Sequence, residues 1–426
     1  MLKGFANAFR IPELRKKILI TVGILLLYRF GAYLPAPGIP FSDMLAAYKD
    51  AASSSGALAV LNLFSGGALS RVSVFSLGIM PYITAQIIFQ MMQTVIPTLG
   101  ELAKEGESGQ RRITQYTRYL TVALATLNAI GYLFLFKSYG ISFAGMGFPE
   151  LLEHVIIVFV LVVGALIIMW LGEVITQRGI GNGMSLIIFC NIMSGLPTAL
   201  ISSVTTSTNG MVLTAVTFLV IIAIIPVIVY IERGQRRIPV QYAKRVVGRR
   251  MMGGQSTYLP IKVNTAGVVP IIFASAILYL PAQLSVFFPR VAWIQSFANA
   301  ISTGWLNWVL SVIFIVFFAY FYTAMVFNPE ETADQLKKAG GFIPGIRPGH
   351  ATADYIQSVL NHITLPGAIF MAALAVVPSI IFTFTSNQLI QAFGGTSVLI
   401  MVGVAMDTIS SLESQLKMHN YEGFFR

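Results

Sequence analysis

Long apolar runs separated by short polar segments dominate this chain. Ten runs are long enough to cross a bilayer as helices, which takes about 20 residues each. The predicted spans lie at about 18–34, 74–96, 114–136, 154–172, 184–203, 211–231, 266–288, 305–327, 365–386 and 394–412. An even number of spans places both termini on the same side. With 56% hydrophobic and 11% charged residues, the pattern predicts an all-α integral membrane protein.

Lysine and arginine are distributed unequally between the two sides. If the termini are cytoplasmic, only three of the 28 basic residues fall in outer loops: Lys49, Lys137 and Arg290. Arg29 and Arg71 lie inside or beside apolar segments, and all the others are on the cytoplasmic side. This bias follows the positive-inside rule, so we predict a multi-pass protein of the cytoplasmic (inner) cell membrane with cytoplasmic N- and C-termini.

Five predicted spans precede residue 204 and five follow it. An odd number of spans in each half means that the second half, 204–426, lies inverted relative to the first, 1–203. Such pseudo-symmetric inverted halves place function near the membrane midplane, between the repeats. The topology therefore predicts a central site between two five-helix halves, the arrangement of many secondary transporters of small solutes.

Two of the predicted cytoplasmic loops, 232–265 and 328–364, exceed the 2–8 residues that connect neighbouring helices. The first carries eight basic residues and one acid, and the second contains Gly-Gly, Pro-Gly and Arg-Pro-Gly turns. We predict that both form a docking surface for a partner. The alternative is that their charges only set the orientation of the protein in the membrane.

The stretch LFSGGALSRVSVFSLGIMPYI, residues 63–83, interrupts the apolar pattern with Ser65, Gly66 and Gly67 and adds Arg71. The apolar residues 57–64 before it span only about 12 Å as a helix, too short to cross. Irregular backbone at membrane depth must be buried in protein or face a water-filled cavity. We predict a re-entrant segment at 57–71, with an apolar surface loop as the alternative.

The predicted span after this segment has a polar stripe. Positions 79, 83, 86, 90 and 93 share one helical face and read Ile, Ile, Gln, Gln, Gln. Amides in a span face a bundle interior or water, so the stripe indicates either a wet vestibule that ends at a dry constriction or hydrogen bonds between helices.

Motifs of catalysis and cofactor binding are absent from the sequence. The single Cys190 and four scattered histidines show no metal-ligand spacing, and there is no P-loop or pair of intramembrane aspartates. GIGNG at 179–183 joins two predicted spans and is interpreted as a tight turn. We predict no enzyme activity and no cofactor. A solute transporter needs ionisable groups at mid-membrane, whereas Asp407, the clearest acid, is predicted near the end of the last span.

Several ordered motifs resemble the SecY family, the central subunits of bacterial protein-conducting channels. They are the 63–83 stretch, WLGEVITQRGIGNGMSLIIF (170–189), GESGQRRITQYTRY, ERGQRRIPVQYAKR, FNPEETADQLKKAGGFIPGIRPG and NYEGF. The resemblance covers essentially the whole chain and looks bacterial. It implies ten helices around an hourglass pore that conducts unfolded preproteins and releases membrane proteins sideways into lipid.

The resemblance also implies roles for individual residues. A pore ring would consist of Ile79, Ile83, Met184, Ile188, Ile272 and Ile400, with Met184 in place of the usual branched aliphatic residue. Segment 57–71 would be a plug with a short helix and a hinge, and its family positions are Asn62, Phe64, Ser65, Gly66, Gly67 and Arg71. Apolar side chains around a neck exclude water and ions without selecting among polypeptides.

The second and seventh spans would form a lateral gate that signal sequences open. Its polar positions would be Gln90, Asn128 and Ser275, and Pro81 and Pro270 would ease helix bending. The resemblance implies docking of the SecA motor ATPase or the ribosome at Arg347 and Tyr421, with rRNA phosphates contacted by Arg245, Arg249 and Arg250. SecE and SecG would complete a heterotrimer in the lipid bilayer.

Overall fold

The computed structural model describes most of the chain. The described residues are 9, 11–37, 65–138, 148–206, 210–242, 245–247, 250–252, 256–287, 291–302, 304–385 and 396–422. Within them the chain forms thirteen helices: α1 Pro12–Gly31, α2 Met80–Val95, α3 Pro97–Lys104, α4 Glu107–Ser138, α5 Glu150–Arg178, α6 Gly183–Thr206, α7 Gly210–Glu232, α8 Val269–Phe287, α9 Ala292–Ser302, α10 Trp305–Val326, α11 Pro329–Lys338, α12 His350–Thr385 and α13 Thr396–Glu422.

Each of the ten predicted spans coincides with one helix, namely α1, α2, α4 to α8, α10, α12 and α13. Among the described residues, six helical stretches are long and apolar enough to cross a membrane, and they belong to α5, α6, α7, α10, α12 and α13. The helix α2, with 16 residues, reaches only about 24 Å and cannot cross the hydrocarbon core alone. The backbone just before it must therefore lie inside the bundle.

That backbone, residues 65–79, forms successive turns instead of the helix that we predicted from residue 74. Gly78 has a φ of 59°, a left-handed conformation that ends helical geometry, and Pro81 occupies the first turn of α2. The hydroxyl of Ser76 donates to the carbonyls of Ser73 and Ala68, which satisfies buried backbone groups that a helix would otherwise pair. The segment is consequently compact and buried without being helical.

The predicted bending role of Pro81 and Pro270 is wrong, because both residues lie in the first turn of their helices. A first-turn proline removes no intrahelical hydrogen bond and fits the start of a helix. Interior prolines, which do break the ladder, occur at other positions: Pro197, Pro226, Pro281, Pro366 and Pro378. Within the predicted gate, Pro281 of α8 is thus the residue that weakens the helix.

The two long predicted loops form one ordered unit. Strands β1 (Gln235–Tyr242), β4 (Ser256–Lys262) and β5 (Gly341–Phe342) make an antiparallel sheet in the order β4-β1-β5, while β2 (Arg245–Val247) and β3 (Arg250–Met252) pair as a hairpin. The pairs Gln241–Phe342 and Tyr242–Gly341 join the first loop to the second. The all-α prediction thus describes the bundle and misses this sheet outside it.

We call this unit the platform: β1, β4, β5, α11 and residues 343–360. It has a small apolar core of its own, made of Ile238, Ile261, Ile343, Ile356 and Leu360. The helix α11 begins at an N-cap, where the Asn328 side chain accepts from the backbone N–H of Glu330 at 3.1 Å. A packed core and a capped helix hold the exposed turn at 344–349 in a defined position.

A single large apolar cluster holds the bundle together. It includes buried residues from α1, segment 65–79, α2, α4 to α8, α10, α12 and α13. Between α8 and α10, for example, the rings of Phe273 and Phe318 meet edge to face with centroids 5.7 Å apart. The centre of the bundle is therefore apolar and closely packed.

Candidate functional site

Six apolar side chains that the family resemblance assigns to a pore ring are buried in the bundle. Ile79 immediately precedes α2 and Ile83 lies in its first turn, while Met184 and Ile188 come from α6, Ile272 from α8 and Ile400 from α13. All six belong to the one large apolar cluster, and none is more than 8% exposed. We call them the collar. Their arrangement as a ring, and the function of that ring as a water-excluding constriction, remain predictions.

Close approach of α5 and α6 positions the collar residues of α6. A Cβ on Gly183 would collide with the carbonyl oxygen of Gly172, and a Cβ on Gly172 would collide with Sδ of Met184. The helices are joined by a four-residue turn in which the Asn182 side chain accepts from the backbone N–H of Met184 at 3.0 Å. This confirms that GIGNG connects two helices. The missing side chain at Gly172 makes room for the long Met184 side chain.

We expect Gly172→Ala to lower the stability of the protein although alanine favours helices. Overpacking against Met184 costs about 1–3 kcal/mol, more than the propensity gain of about 1 kcal/mol. The melting temperature in detergent should fall by roughly 2–6 °C. Gly23→Ala in α1 is the matched control, since a Cβ there meets nothing within 4 Å. A melting temperature of Gly172→Ala equal to or above that of Gly23→Ala would contradict the packing argument.

The glutamine stripe of α2 lies beyond the collar. Gln86, Gln90 and Gln93 are all half-buried. The Oε1 atom of Gln90 is buried and accepts no hydrogen bond from any described residue. An unpaired amide oxygen in a bundle is costly unless water reaches it. The oxygen is also shielded from solvent, so Gln90 favours neither interpretation of the stripe, and both the wet vestibule and the hydrogen bonds between helices remain predictions.

The predicted polar seam of the gate is only partly assembled. Helices α2 and α4 both contact α8, so the helices that carry Gln90, Asn128 and Ser275 are neighbours. The hydroxyl of Ser275, however, donates within its own helix to the carbonyl of Ile271 at 2.8 Å. Asn128 is half-buried on α4. The neighbouring helices are compatible with a gate, and the seam itself remains a prediction.

The predicted plug is described from Ser65 onward, whereas Asn62, Phe64 and the rest of 57–64 lie outside the described residues. Ser65 is 2% exposed, and both Gly66 (φ 65°) and Gly67 (φ 82°) have left-handed backbone. The Gly66 carbonyl accepts a hydrogen bond from Nη1 of Arg29, in α1, at 3.1 Å. Arg29 was not predicted as a site residue, although its isolated positive charge inside a span was a signal.

Of the predicted docking residues, Arg347 lies on the platform. Arg347 is exposed in the turn at 344–349, and its carbonyl accepts from the Thr352 hydroxyl at 2.9 Å. Arg245 and Arg250 belong to β2 and β3, and Tyr421 to the last turn of α13, while Arg249 lies outside the described residues. Arg236 and Arg237 on β1 are exposed basic side chains that our list of docking residues omitted.

Comparison with known proteins gives one family. The SecY family model matches residues 73–409. The chain is 47% identical over 449 residues to "Protein translocase subunit SecY" of Streptomyces coelicolor and 48% identical over 443 residues to that of Mycobacterium tuberculosis, with 100% of both chains covered in each case.

Solved structures with low sequence identity share the fold. A structure described as "The structure of a protein conducting channel" matches with a TM-score of 0.62 and 17% identity, covering 96% of each chain. Sec61 in a canine ribosome-channel complex matches with a TM-score of 0.60 and 16% identity, again with 96% coverage of each chain. The predicted helical channel architecture is confirmed by these matches.

Proposed function

This chain belongs to the SecY family, and on that premise we propose that it is the channel-forming subunit of a protein translocase. It conducts unfolded preproteins across the cytoplasmic membrane and releases apolar segments sideways into the bilayer. The observation that carries this proposal is the collar, whose six apolar side chains, from α2 and the residue before it, α6, α8 and α13, are all buried in one apolar cluster.

A collar of this composition suits the transport of polypeptides. Its side chains offer no hydrogen bond or charge, so they give a passing chain no specific binding site. At rest, a narrow apolar neck excludes water and therefore ions. Flexible apolar side chains can rearrange around chains of varied width, although Met184 packs its sulfur against Gly172 of α5 in this structure. The collar therefore combines low selectivity for polypeptides with resistance to ions.

The energy for movement comes from outside the chain, because the role of this family is conduction and not catalysis. We propose that SecA or the ribosome docks on the platform, which faces the cytoplasm along with both termini. The related Sec61 and Ssh1 channels are described in complexes with ribosomes. Exposed Arg236 and Arg237, with Arg245, Arg249 and Arg250 nearby in sequence, suit contact with rRNA phosphates.

Assembly and gating follow from the same proposal. SecE and SecG complete a heterotrimer in the inner membrane. Helices α2 and α8 separate when a signal sequence enters, and Pro281 makes α8 easier to bend than a continuous helix. The segment around Gly66 and Gly67 closes the outer side at rest. An apolar signal segment then leaves the gate for lipid because its transfer from water is favourable.

The alternative of a secondary solute transporter is not supported, because relatives that align over the entire chain are translocase subunits. One acidic side chain at the end of a span is, moreover, already paired. Glu173 of α5 is paired with Arg118 of α4, with Nε and Oε1 2.9 Å apart, so this carboxylate is already neutralised by a partner. Coupled transporters need carboxylates that are available to ions or protons.

Reconstitution tests the proposal. The chain is purified with the small membrane subunits that accompany it and inserted into proteoliposomes, and SecA, ATP and an unfolded preprotein are added. We expect protease-protected preprotein inside the vesicles, and none when ATP is replaced by a non-hydrolysable analogue. Vesicles that protect no preprotein although SecA binds to them would overturn the proposed function.

A further inference from the structure

The hinge segment, residues 65–72, is attached to two helices through a cluster of polar groups. The Gly66 carbonyl accepts from Arg29 of α1 at 3.1 Å and lies 3.5 Å from the hydroxyl of Ser194 of α6. That hydroxyl also donates to the carbonyl of Asn191 at 2.7 Å. A short backbone turn is therefore held between the outer part of α1 and the middle of α6.

The same cluster ties the two helices to each other. The hydroxyl of Tyr28, next to Arg29 on α1, donates to Oδ1 of Asn191 at 2.8 Å. Both side chains are completely buried. Because Tyr28 and Arg29 are adjacent residues, the contact that spaces α1 and α6 also positions the guanidinium of Arg29 against Gly66. The attachment of the segment depends on the distance between these helices.

A second contact engages the other end of the segment. The guanidinium of Arg71 lies 4.2 Å from the ring centroid of Tyr33, just after α1, and that of Arg29 lies 5.5 Å from the same centroid. Tyr33 therefore interacts with one cation from the helix and one from the segment. This contact accounts for both basic residues, Arg29 and Arg71, that the predicted loops leave unexplained.

At its C-terminal end the segment is anchored by backbone hydrogen bonds. The N–H of Ala36 donates to the carbonyl of Val72, and the N–H of Val74 donates to that of Leu34, both at 2.9 Å. Val72 itself has a φ of 40°, a strained conformation for a β-branched residue. Residues 72–74 are a fixed point, and the part before them is held by the polar cluster.

We propose that Arg29, Tyr28, Asn191 and Ser194 form a latch that holds the hinge segment against the bundle while α1 and α6 are adjacent. When a passing chain moves these helices apart, the Gly66 carbonyl loses its donor and the segment detaches. The latch rests on the proposed function, because it is the device that would keep the channel closed. It responds to helix spacing and needs no ligand of its own.

Two neighbouring glycines provide a matched pair of variants. A Cβ on Gly66 would lie 2.5 Å from Oδ1 of Asn191 and 2.7 Å from Nη1 of Arg29, whereas a Cβ on Gly67 meets nothing within 4 Å. Both positions have left-handed backbone, so alanine incurs the same conformational penalty at each. Only Gly66→Ala displaces the latch side chains.

The measurement is the rate at which a membrane-impermeant maleimide alkylates Ser70→Cys in a Cys190→Ser background, in the complete reconstituted complex. We expect Gly66→Ala to raise the rate about tenfold above Gly67→Ala, the factor for losing one hydrogen bond to a charged donor. Arg29→Gln should raise it about tenfold above the unsubstituted background, and Arg29→Lys, which keeps a donor, should raise it less. The resting ion conductance should follow the same order.

Equal rates for Gly66→Ala and Gly67→Ala, or an unchanged rate for Arg29→Gln, would overturn the latch. Preprotein protection is assayed on the same vesicles, which separates this result from the proposed function. If the protein without latch substitutions transports no preprotein, the proposed channel function is wrong. The alkylation rates would still decide whether Arg29 holds the segment. Arg29→Lys serves as the second variant if Arg29→Gln fails to assemble.

Discussion

Replacing Ile188 with asparagine is expected to raise the resting ion conductance of the reconstituted channel by about a hundredfold. Ile188 is 1% exposed and belongs to the collar. Burying an amide without a hydrogen-bond partner in an apolar neck costs about 1–3 kcal/mol. Water that enters the neck hydrates the amide and removes this cost, so the wet state of the neck becomes more populated. A wet neck conducts ions, whereas a dry one excludes them. Single-channel recording in planar bilayers, without a preprotein, measures the effect.

The neighbouring Ile187 provides the control. It is completely buried on the same helix, and its Cδ1 would lie 3.3 Å from a Cβ on Gly172 of α5, so it packs against that helix. Ile187→Asn should therefore destabilise the protein with little added conductance. Ile83→Asn, on α2, should repeat the increase seen for Ile188→Asn. Equal conductance for the Ile187 and Ile188 variants would show that the collar is not the ion barrier.

The positions of the spans were predictable because apolar length is a local property of the sequence. The boundaries of the spans were less predictable, as the start of α2 illustrates. Residues 74–79 are mostly apolar and extend the hydropathy pattern, but Gly78 has left-handed backbone and Pro81 begins the helix. Hydropathy does not register backbone conformation, so the predicted span began six residues before the helix does.

The platform sheet could not be predicted from one segment at a time. β1 pairs with β4 through a short connection, but it also pairs with β5, about 100 residues further along. Such pairing depends on tertiary structure, because the two strands are far apart in the sequence. The sequence indicated ordered loops from their length and turn residues, and tertiary structure determined that they form one unit.

The collar and the latch differ in how far they could be predicted from the sequence. A shared helical face identified Ile79 and Ile83, while the other collar residues followed only from the family resemblance, because the inward face of α6, α8 or α13 depends on packing. The latch was hidden for a different reason. Its acceptor is the backbone carbonyl of Gly66. A pattern of side chains does not predict which backbone carbonyl will accept a hydrogen bond.

Reversing the charge of Arg347 is expected to lower preprotein-stimulated SecA ATPase activity at least about thirtyfold, the effect of disrupting a close charge pair at an interface. Arg347 is exposed in a turn where Gly345 (φ 83°) and Gly349 (φ 113°) have left-handed backbone. Because Ile343, just before that turn, belongs to the platform core and Ile346, within the turn, packs against it, the guanidinium is presented from a rigid base. The measurement is phosphate release by SecA with reconstituted Arg347→Glu channels.

Lys338→Glu is the matched control, since it makes the same charge change at an exposed position in the same platform, at the end of α11. If only the net charge of the platform attracted the motor, the two variants would behave alike, and raising the salt concentration would weaken both equally. A specific contact at Arg347 predicts that Lys338→Glu retains most of the stimulated activity. Because the turn is exposed and the collar is distant in the fold, Arg347→Glu should also keep the resting conductance of the unsubstituted channel, which separates failure of docking from failure of the pore.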